Sequence, residues 1–523
     1  MREDTELTTQ PELVFGLVGP IGVNMSMIET RLNEALMGVG YTPIPIRVTE
    51  LMHQIEVDVQ LDDSLDPKRH YESRIDYANG VREKCGDDRA LAALAILEIR
   101  ERRLAINLGL AGDDESDSPL DEIPLRAHAY VVRQLKRKEE VDLLRKVYGR
   151  KFVQISVSVG AEDRIKILSR QLAAKNANLD KSACDEAAAH LVKRDQNESE
   201  SPHGQRIGEI FHLGDVFVDA RTDLVAERTI RRFVEAFFGR NSVSPTRDEY
   251  GAYMAASASL RSLDTARQVG AAIFSARGEI IALGSNEVPK AGGGTYWSDE
   301  EDPHRDFDEG HDANSTQKKR ILFDLIEKLN LEGFLVSDDL PTLFEKVSAS
   351  KAIDDALVMD ITEFGRMTHA EMNAITDAAR LGRSTAKAVL FCTTFPCHNC
   401  AKHIVAAGID RVVFIEPYPK SKAMELHYDS ISMSGPQNGK VSFEHFHGIS
   451  PRRYRDIFEK AKRRAKDGSL QHWYEDDKPS PRIEDRGPHY VHNEPSAIAA
   501  PLSQVLKELG LAAEEAEANT EQS

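Results

Sequence analysis

The chain has 523 residues, of which 41% are hydrophobic and 29% charged, as in an ordinary globular protein of two or three domains. A formal net charge of −19 disfavours a protein that grips a long polyanion, which needs a basic stripe, but a small anionic ligand stays possible. The apolar runs are too short for a membrane span, and the polar, acidic N-terminus does not resemble a signal peptide. Five cysteines are too few for a disulfide framework and favour a reducing, cytoplasmic location.

The first half of the chain alternates apolar runs with helical periodicity. Strands are expected over residues 13–18, 41–48 and 151–159, and helices over residues 27–37 and 91–108. Such alternation is typical of a parallel sheet with helical crossovers. We therefore predict an α/β domain over residues 1–240, which ends at a stretch rich in Asn, Ser and Pro.

The first predicted strand runs into a glycine turn that opens a helix, which is the context of a phosphate-binding P-loop. The candidate nucleotide-binding residues are Gly19, Gly22, Asn24 and Ser26. The motif is degenerate, because Asn24 stands for its second glycine and Met25 for its lysine, so efficient kinase or NTPase chemistry is not expected. Three interpretations stay open: a nucleotide-binding regulator, a scaffold or partner-binding relic, or an enzyme whose cation comes from elsewhere in the chain.

A second α/β domain is predicted over residues 246–470. Helices are expected over residues 246–263, 369–381 and 397–407, and strands over residues 269–275, 279–285, 387–394 and 411–416. Residues 289–320 are glycine-rich and then acidic, which predicts a long loop. The composition of residues 471–523 predicts a Pro-rich and acidic tail that is disordered at its end.

Two short motifs in the second domain indicate a metal site. His369-Ala370-Glu371 and Pro396-Cys397-His398-Asn399-Cys400 fit the H-x-E and P-C-x-x-C signature of zinc deaminases. Two cysteines three residues apart at a helix start point the same way, and a histidine from a second helix adds a third ligand. Three protein ligands leave the fourth position of a zinc ion for water, which marks a catalytic site. We therefore predict that His369, Cys397 and Cys400 bind Zn²⁺.

Glu371 is the predicted catalytic residue. Zinc lowers the pKa of a bound water to about 7. Glu371 takes the proton of the water and passes it to the ring nitrogen and then to the leaving ammonia, so that cytosine becomes uracil. A C-x-x-C pair also occurs in redox sites and zinc fingers, but a second pair with finger spacing is missing from the sequence nearby. Cys392, His398 and His403 are expected to be structural or exposed.

Further stretches resemble a known family. Arg267 to Ala272 (RQVGAA), followed by Gly284-Ser285-Asn286, resembles the opening of deoxycytidylate (dCMP) deaminases. The bacterial anti-phage dCTP deaminases, which fuse a nucleoside-monophosphate-kinase-like P-loop domain to a dCMP-type deaminase, are similar in three stretches. These are Asn286 to Trp297 (NEVPKAGGGTYW), Gly448 to Tyr454 (GISPRRY) and Gln134 to Gly149 (QLKRKEEVDLLRKVYG). The resemblance covers most of residues 12–460.

The resemblance implies two α/β folds: an N-terminal P-loop kinase-like parallel-sheet domain and a C-terminal cytidine-deaminase-like α/β/α domain. It implies deamination of dCTP or dCMP to the deoxyuridine nucleotide, which depletes dCTP in defence against phage. It also implies a homo-oligomer, silencing until infection, in some relatives by a small RNA, and a contact of Asn286 with the nucleotide sugar.

Residue chemistry adds candidate substrate contacts. Lys290 and the run Gly292-Gly293-Gly294 offer a cation and backbone N–H groups to phosphates. Tyr296 and Trp297 offer stacking faces for a base or sugar, although both aromatic rings are also compatible with packing of the loop onto its own domain.

Three other functions are weighed. A housekeeping dCMP deaminase of pyrimidine metabolism is the alternative within the same superfamily, since the metal motif is common to both. A deaminase of tRNA or single-stranded DNA needs a basic groove with stacking aromatics, which the acidic composition disfavours. A catalytically silent binding module has no use for Glu371.

Overall fold

The computed structural model describes residues 10–508 apart from residues 63–66, 111–118, 176–179, 197, 199–200, 336–338, 355, 362, 475–476, 484–486 and 488. The chain divides into two compact units, the first of Met1–Pro245 with His447–Ser523 and the second of Thr246–Phe446. Among the helices in the described ranges, none is both long and apolar enough to cross a membrane.

The first unit is an α/β fold. Its strands up to residue 245 are β1 (Leu13–Val18), β2 (Thr42–Arg47), β3 (His128–Arg133), β4 (Phe152–Ser158) and β5 (Val216–Asp219). Its helices are α1 (Met25–Gly38), α2 (Val48–Leu51), α3 (Pro67–Cys85), α4 (Ala90–Leu110), α5 (Lys138–Tyr148), α6 (Ala161–Lys175), α7 (Lys181–Gln196), α8 (Ile207–Ile210) and α9 (Asp223–Phe237).

The five strands form one parallel sheet in the order β2-β3-β1-β4-β5. Strand β1 lies at the centre with all six residues buried, because helices cover both faces of a parallel sheet and its inner strands are apolar throughout. The crossovers bring the turns that follow the strands to one edge of the sheet, where ligands bind in such folds. The predicted α/β class is confirmed here.

The second unit is also α/β. Its strands are β6 (Gly270–Phe274), β7 (Ile280–Ser285), β8 (Val389–Thr394), β9 (Arg411–Glu416), β10 (Ile431–Ser432) and β11 (Val441–His445). Its helices are α10 (Arg247–Ser259), α11 (Asp306–Glu309), α12 (Ala313–Leu331), α13 (Leu340–Ser348), α14 (Lys351–Asp354), α15 (Ala370–Arg380), α16 (His398–Ala406) and α17 (Ala423–Leu426).

The second sheet has the order β10-β11-β9-β8-β6-β7, in which β6 runs antiparallel to β7 and β8 while the other pairs are parallel. Helix α10 begins at a capping box, where the Thr246 hydroxyl and the Glu249 carboxylate each accept from the other's backbone N–H. The long loop predicted over residues 289–320 is partly wrong. Helix α12 starts at Ala313, where the Asp312 side chain caps it by accepting from the Ser315 backbone N–H.

The end of the chain returns to the first unit. It forms strand β12 (Gly448–Ile449), which pairs antiparallel with β5, and helices α18 (Pro451–Phe458), α19 (Tyr490–Ala499) and α20 (Ser503–Glu508). The predicted domain end at residue 470 and the tail from residue 471 therefore differ from the structure. Residues 509–523, the acidic end of that tail, lie outside the described residues.

A buried ion network explains why the end of the chain packs on the first unit. The Arg103 guanidinium, on α4, lies 3.0 Å from the Glu12 carboxylate and 2.7 Å from the Glu494 carboxylate, on α19. The Tyr148 and Tyr490 hydroxyls donate to Glu494 and Glu12 at 3.0 and 2.6 Å. Because a buried charge requires such partners, this network holds α19 on the first sheet's helices.

Candidate metal centre

The helices that carry the two motifs begin at the same edge of the second sheet. His369 is the N-cap residue of α15 and Cys397 is the N-cap residue of α16, which follows strand β8 directly. The Cys397 sulfur accepts a hydrogen bond from the Cys400 backbone N–H, as a capping side chain does. Both motifs therefore place their side chains at helix starts, where unpaired N–H groups favour thiolate.

Close packing of α15 on strand β7 sets the position of His369. A Cβ atom on Gly284 would lie 2.1 Å from the Ala370 carbonyl oxygen and 2.6 Å from the Ala374 nitrogen. Alanines at positions 370, 374 and 378 form the buried stripe of the helix. The small residues on both sides let the two backbones touch, and the N-terminus of α15 is held against the sheet.

The three predicted ligands meet in space. The His369 Nδ1 atom lies 3.3 Å from the Cys397 sulfur and 3.3 Å from the Cys400 sulfur. Around a tetrahedral zinc with bonds near 2.3 Å to sulfur and 2.0–2.1 Å to nitrogen, such atoms are about 3.6 Å apart. The observed separations and the donor set therefore fit zinc. Among the described residues, the metal-binding group comprises these three side chains.

The charges of the cluster also suit a cation. Hydrogen bonding from Cys400 and the nearby His369 imidazole hold the pKa of Cys397 at about 4, against the effect of burial. The same Cys397 thiolate raises the pKa of His369 to about 9. The pKa of Cys400 is raised well above its ordinary value by its side-chain interaction with Cys397 and by burial. Zinc is bound by thiolates, so binding of the ion requires both sulfurs to be deprotonated.

Glu371 lies directly beside the cluster. Its side chain is buried, and its Oε2 atom is 3.4 Å from the Cys400 sulfur, which donates to it. Burial raises the pKa of the Glu371 carboxyl. A buried carboxyl whose pKa is raised toward neutrality is suited to accept and release a proton during a reaction.

Asn286 has its side chain fully engaged within the unit. Its amide N–H groups donate to the Asp264 carboxylate at 2.7 Å and to the Arg267 carbonyl at 2.6 Å, and its Oδ1 atom accepts from the Val269 N–H at 2.7 Å. The negative charge of Asp264 also acts on His369. Asn286 therefore shapes the wall of the site, and its Oδ1 atom has a second lone pair that can accept from a sugar hydroxyl without breaking these bonds.

The glycine run that follows Lys290 packs on the far end of α15. The tip of this loop packs on Arg380, since a Cβ atom on Gly293 would lie 2.5 Å from the Arg380 Cδ atom. Arg380 ends the 11-residue helix α15, whose length of about 16 Å separates it from His369. The Lys290 ammonium pairs with Glu300. Residues 289 and 295 pair as an antiparallel bridge, which closes the loop around the glycine run.

The two aromatic candidates have different surroundings. Trp297 is 52% exposed, and the Arg261 guanidinium lies 3.7 Å from its ring centroid. One face of the indole is thus covered by a cation. Tyr296 is half-buried and accepts a hydrogen bond from Arg261 through its backbone carbonyl at 3.0 Å. The exposed face of Trp297 is open to a ligand.

Sequence reasoning missed Tyr418. This side chain is half-buried after the end of β9, and its pKa is raised first by burial and then by the charge of Cys397. Strands β8 and β9 are parallel neighbours, so the residues that follow them share one edge of the sheet. This pairing was the signal that would have placed Tyr418 beside the cysteines.

The remaining cysteine and histidine candidates stand outside the ligand set. Cys392 is buried on β8 with its sulfur 3.8 Å from the Val413 carbonyl oxygen, and His403 is exposed. His398 is half-buried, and its Nδ1 atom has no hydrogen-bond partner among the described residues.

The predicted P-loop residues form the turn between β1 and α1. Gly22 has φ +90, which favours glycine, and the Asn24 side chain caps α1 by accepting from the Met27 N–H at 3.1 Å. The Ser26 hydroxyl accepts from the Arg133 guanidinium at 3.2 Å. The turn therefore has the strand–turn–helix setting that the motif requires.

The fold and the site together define an α/β unit with a three-residue metal cluster and a buried carboxyl beside it. Residues 245–416 match the family model of the cytidine and deoxycytidylate deaminase zinc-binding region. That segment spans most of the second unit and includes His369, Glu371, Cys397 and Cys400, and together with the His/Cys/Cys cluster it confirms the predicted zinc cofactor.

Curated relatives share a short segment. Deoxycytidylate deaminases of Enterobacteria phages T2 and T4 are each 48% identical over 54 residues, which is 10% of this chain and 29% and 28% of theirs. The ComE operon protein 2 of Bacillus subtilis is 38% identical over 65 residues, 12% of this chain and 34% of its own. The matched segment thus spans about a third or less of these relatives.

Solved structures are similar at low identity. The dCMP deaminase of cyanophage S-TIM5, in a complex with dCMP and dUMP, is 20% identical with a TM-score of 0.22, and covers 39% of this chain and 100% of its own. Its apo form is 18% identical with the same TM-score of 0.22 and the same coverage, 39% and 100%.

Proposed function

We propose that the protein hydrolyses the amino group of a free deoxycytidine nucleotide, dCTP or dCMP, to give the deoxyuridine nucleotide. The observation that carries this proposal is the position of Glu371, buried and 3.4 Å from one sulfur of a three-ligand His/Cys/Cys cluster. A structural zinc site closes with a fourth protein ligand and has no use for a buried carboxyl beside it. The match of residues 245–416 to the cytidine and deoxycytidylate deaminase zinc-binding region supports the same chemistry.

The roles of the chain's own residues follow. His369, Cys397 and Cys400 hold the ion, which when bound supplies an activated water. Glu371 would take one proton from the water and deliver it to N3 of cytosine as the water oxygen bonds to C4. It would then carry a second proton from the new C4 hydroxyl to the amino group, which leaves as ammonia when the C4–N bond breaks. Its buried carboxyl with a raised pKa is suited to both transfers. Asn286 holds Asp264 in the wall of the site, and Trp297 offers its exposed face for stacking.

The biological role we propose is depletion of dCTP in defence against phage, with the first unit as a nucleotide-binding regulator. The strand–turn–helix of the first unit supports that role, and a scaffold is the alternative. A homo-oligomer and a small-RNA inhibitor follow from the family resemblance of the sequence. A housekeeping dCMP deaminase is the second candidate, supported by the phage deoxycytidylate deaminases that are 48% identical to this chain over 54 residues.

A substrate panel tests the proposal. The purified full chain is incubated with dCTP, dCMP, CTP and a cytosine-containing DNA oligonucleotide, and uracil products are measured by liquid chromatography and mass spectrometry. Conversion of dCTP supports the anti-phage assignment, and conversion of dCMP alone supports the housekeeping alternative. Conversion of the oligonucleotide alone contradicts both.

A further inference from the structure

An internal carboxylate occupies the turn between β1 and α1 of the first unit. Asp195, near the end of α7, is buried, and its Oδ2 atom accepts from the Ile21 backbone N–H at 2.6 Å. Its Oδ1 atom accepts from the Lys136 ammonium at 2.7 Å, and Lys136 also donates to the Gly19 carbonyl at 3.1 Å. A negative group is thus held against a backbone N–H of the turn, where a P-loop holds phosphate.

The same turn is flanked by a buried arginine, Arg164. Arg164, on α6, is 7% exposed, and its Nε and Nη1 atoms have no hydrogen-bond partner among the described residues. Its backbone and Cβ pack on Gly22, since a Cβ atom there would lie 3.2 Å from the Arg164 Cβ. Burial lowers the pKa of Arg164, which the charge of Asp195 partly offsets. Buried guanidinium donors are costly when unpaired and suit the oxygens of a phosphate.

These cations stand in for the lysine that the motif lacks. Met25, at the lysine position, is buried in the core, and its sulfur lies 2.7 Å from where a Cβ atom on Gly19 would be. Positive charge reaches the turn instead from Lys136, between β3 and α5, and from Arg164. The 14-residue helix α1 adds its N-terminus to the same place.

We propose that the turn of residues 19–26, with Lys136 and Arg164, binds the phosphate chain of a nucleoside triphosphate, and that Asp195 fills this site until phosphate displaces it. The inference rests on the proposed nucleotide role of the first unit and is independent of deamination. Exchange of Asp195 for phosphate keeps both cations neutralised, and it releases the end of α7. The α6–α7 pair is therefore the element that responds to the ligand.

Titration of the full chain with ATP and with inorganic tripolyphosphate, neither of which contains cytosine, tests this assignment by calorimetry. Asp195→Asn removes the competing charge and is expected to bind both ligands at least about tenfold more tightly than the parent chain. Adding Arg164→Gln to that variant is expected to abolish the gain. Asp163→Asn, an exposed acid next to Arg164, is the matched control and leaves affinity unchanged. Tighter binding of ATP than of tripolyphosphate identifies a nucleotide, and equal binding identifies the phosphate chain alone.

Equal or weaker affinity of Asp195→Asn overturns the proposal, and so does absence of binding by both proteins. If Asp195→Asn fails to fold, hydrogen exchange on the parent chain tests the proposed displacement of Asp195 instead. Tripolyphosphate is expected to lower the protection of residues 181–196, and unchanged or higher protection overturns the displacement. Glu371→Gln is expected to leave every binding result unchanged, so loss of deamination and loss of phosphate binding are separate outcomes.

Discussion

Gly284 and Ala370 touch through backbone atoms alone, because a Cβ atom on Gly284 would lie 2.1 Å from the Ala370 carbonyl oxygen. This contact sets the height of α15 above the second sheet, and with it the positions of the ligand His369 and the acid Glu371, which stand at the start of that helix. The geometry of the zinc cluster thus depends on Gly284, which is not itself a metal ligand.

Gly284→Ala is expected to push α15 away from β7. Overpacking of this kind costs about 1–3 kcal/mol in unfolding free energy, and displacement of His369 and Glu371 lowers kcat as well. Gly109→Ala is the control, because a Cβ atom there meets nothing within 4 Å. Deaminase assays and urea unfolding measure both effects, and parent-like kcat for Gly284→Ala would show that the contact does not position the site.

Glu371→Gln keeps the shape of the side chain and removes its ability to carry a proton. We expect zinc content to stay near that of the parent and kcat to fall about 10³-fold, within the range of general acid–base catalysis. Asp377→Asn, on the same helix and paired with Arg380 at the surface, is the matched control. Metal analysis measures the zinc content and a single-turnover assay measures the rate. Full activity of Glu371→Gln would refute the proton-carrier role.

Cys397→Ala removes one of two sulfurs and the cap of α16. Loss of a zinc ligand is expected to leave the purified chain with little metal and to lower the unfolding temperature of the second unit. Cys184→Ala, which removes a buried thiol of the first unit, keeps its zinc. Mass-spectrometric metal analysis after dialysis gives the result, and stoichiometric zinc in Cys397→Ala would mean that the metal is held elsewhere.

Glu494→Ala leaves the buried Arg103 with one carboxylate in place of two. Removal of one partner of a buried ion pair costs roughly 3–5 kcal/mol, so the first unit is expected to lose stability. Alkylation of Cys85 and Cys184 in urea reports on this unit, while Cys392 reports on the second. Glu508→Ala, which removes an exposed surface pair with Lys84, is the control. Unchanged alkylation of Cys85 in Glu494→Ala would contradict a stabilising role for the network.

Local patterns in the sequence were enough to predict much of the fold. The apolar run of residues 13–18 forms β1 at its predicted bounds, and residues 411–416 form β9 at theirs. Such runs are informative because a strand buried on both faces admits few polar residues. The spacing of Cys397 and Cys400 likewise predicted the ligand geometry, since three residues return a side chain to the same side of a helix start.

Features that depend on distant residues were not predictable. The contact of Arg103 with Glu494 joins residues 391 positions apart. The charged composition after residue 466 indicated a tail, where the structure has helix α19. Asp195 reaches Ile21 from 174 residues away. The course of the loop along α15, which takes Gly293 to Arg380, depends on pairing that no short motif encodes.

X-ray absorption at the zinc edge of the purified chain tests the central claim most directly. The account predicts two sulfur ligands at about 2.3 Å and two lighter ligands at about 2.0–2.1 Å, one from the His369 imidazole and one from solvent. In Cys397→Ala the two-sulfur signal is expected to disappear. A shell of three or four sulfurs, or a fourth protein ligand that stays when substrate is added, would contradict a catalytic zinc at this site.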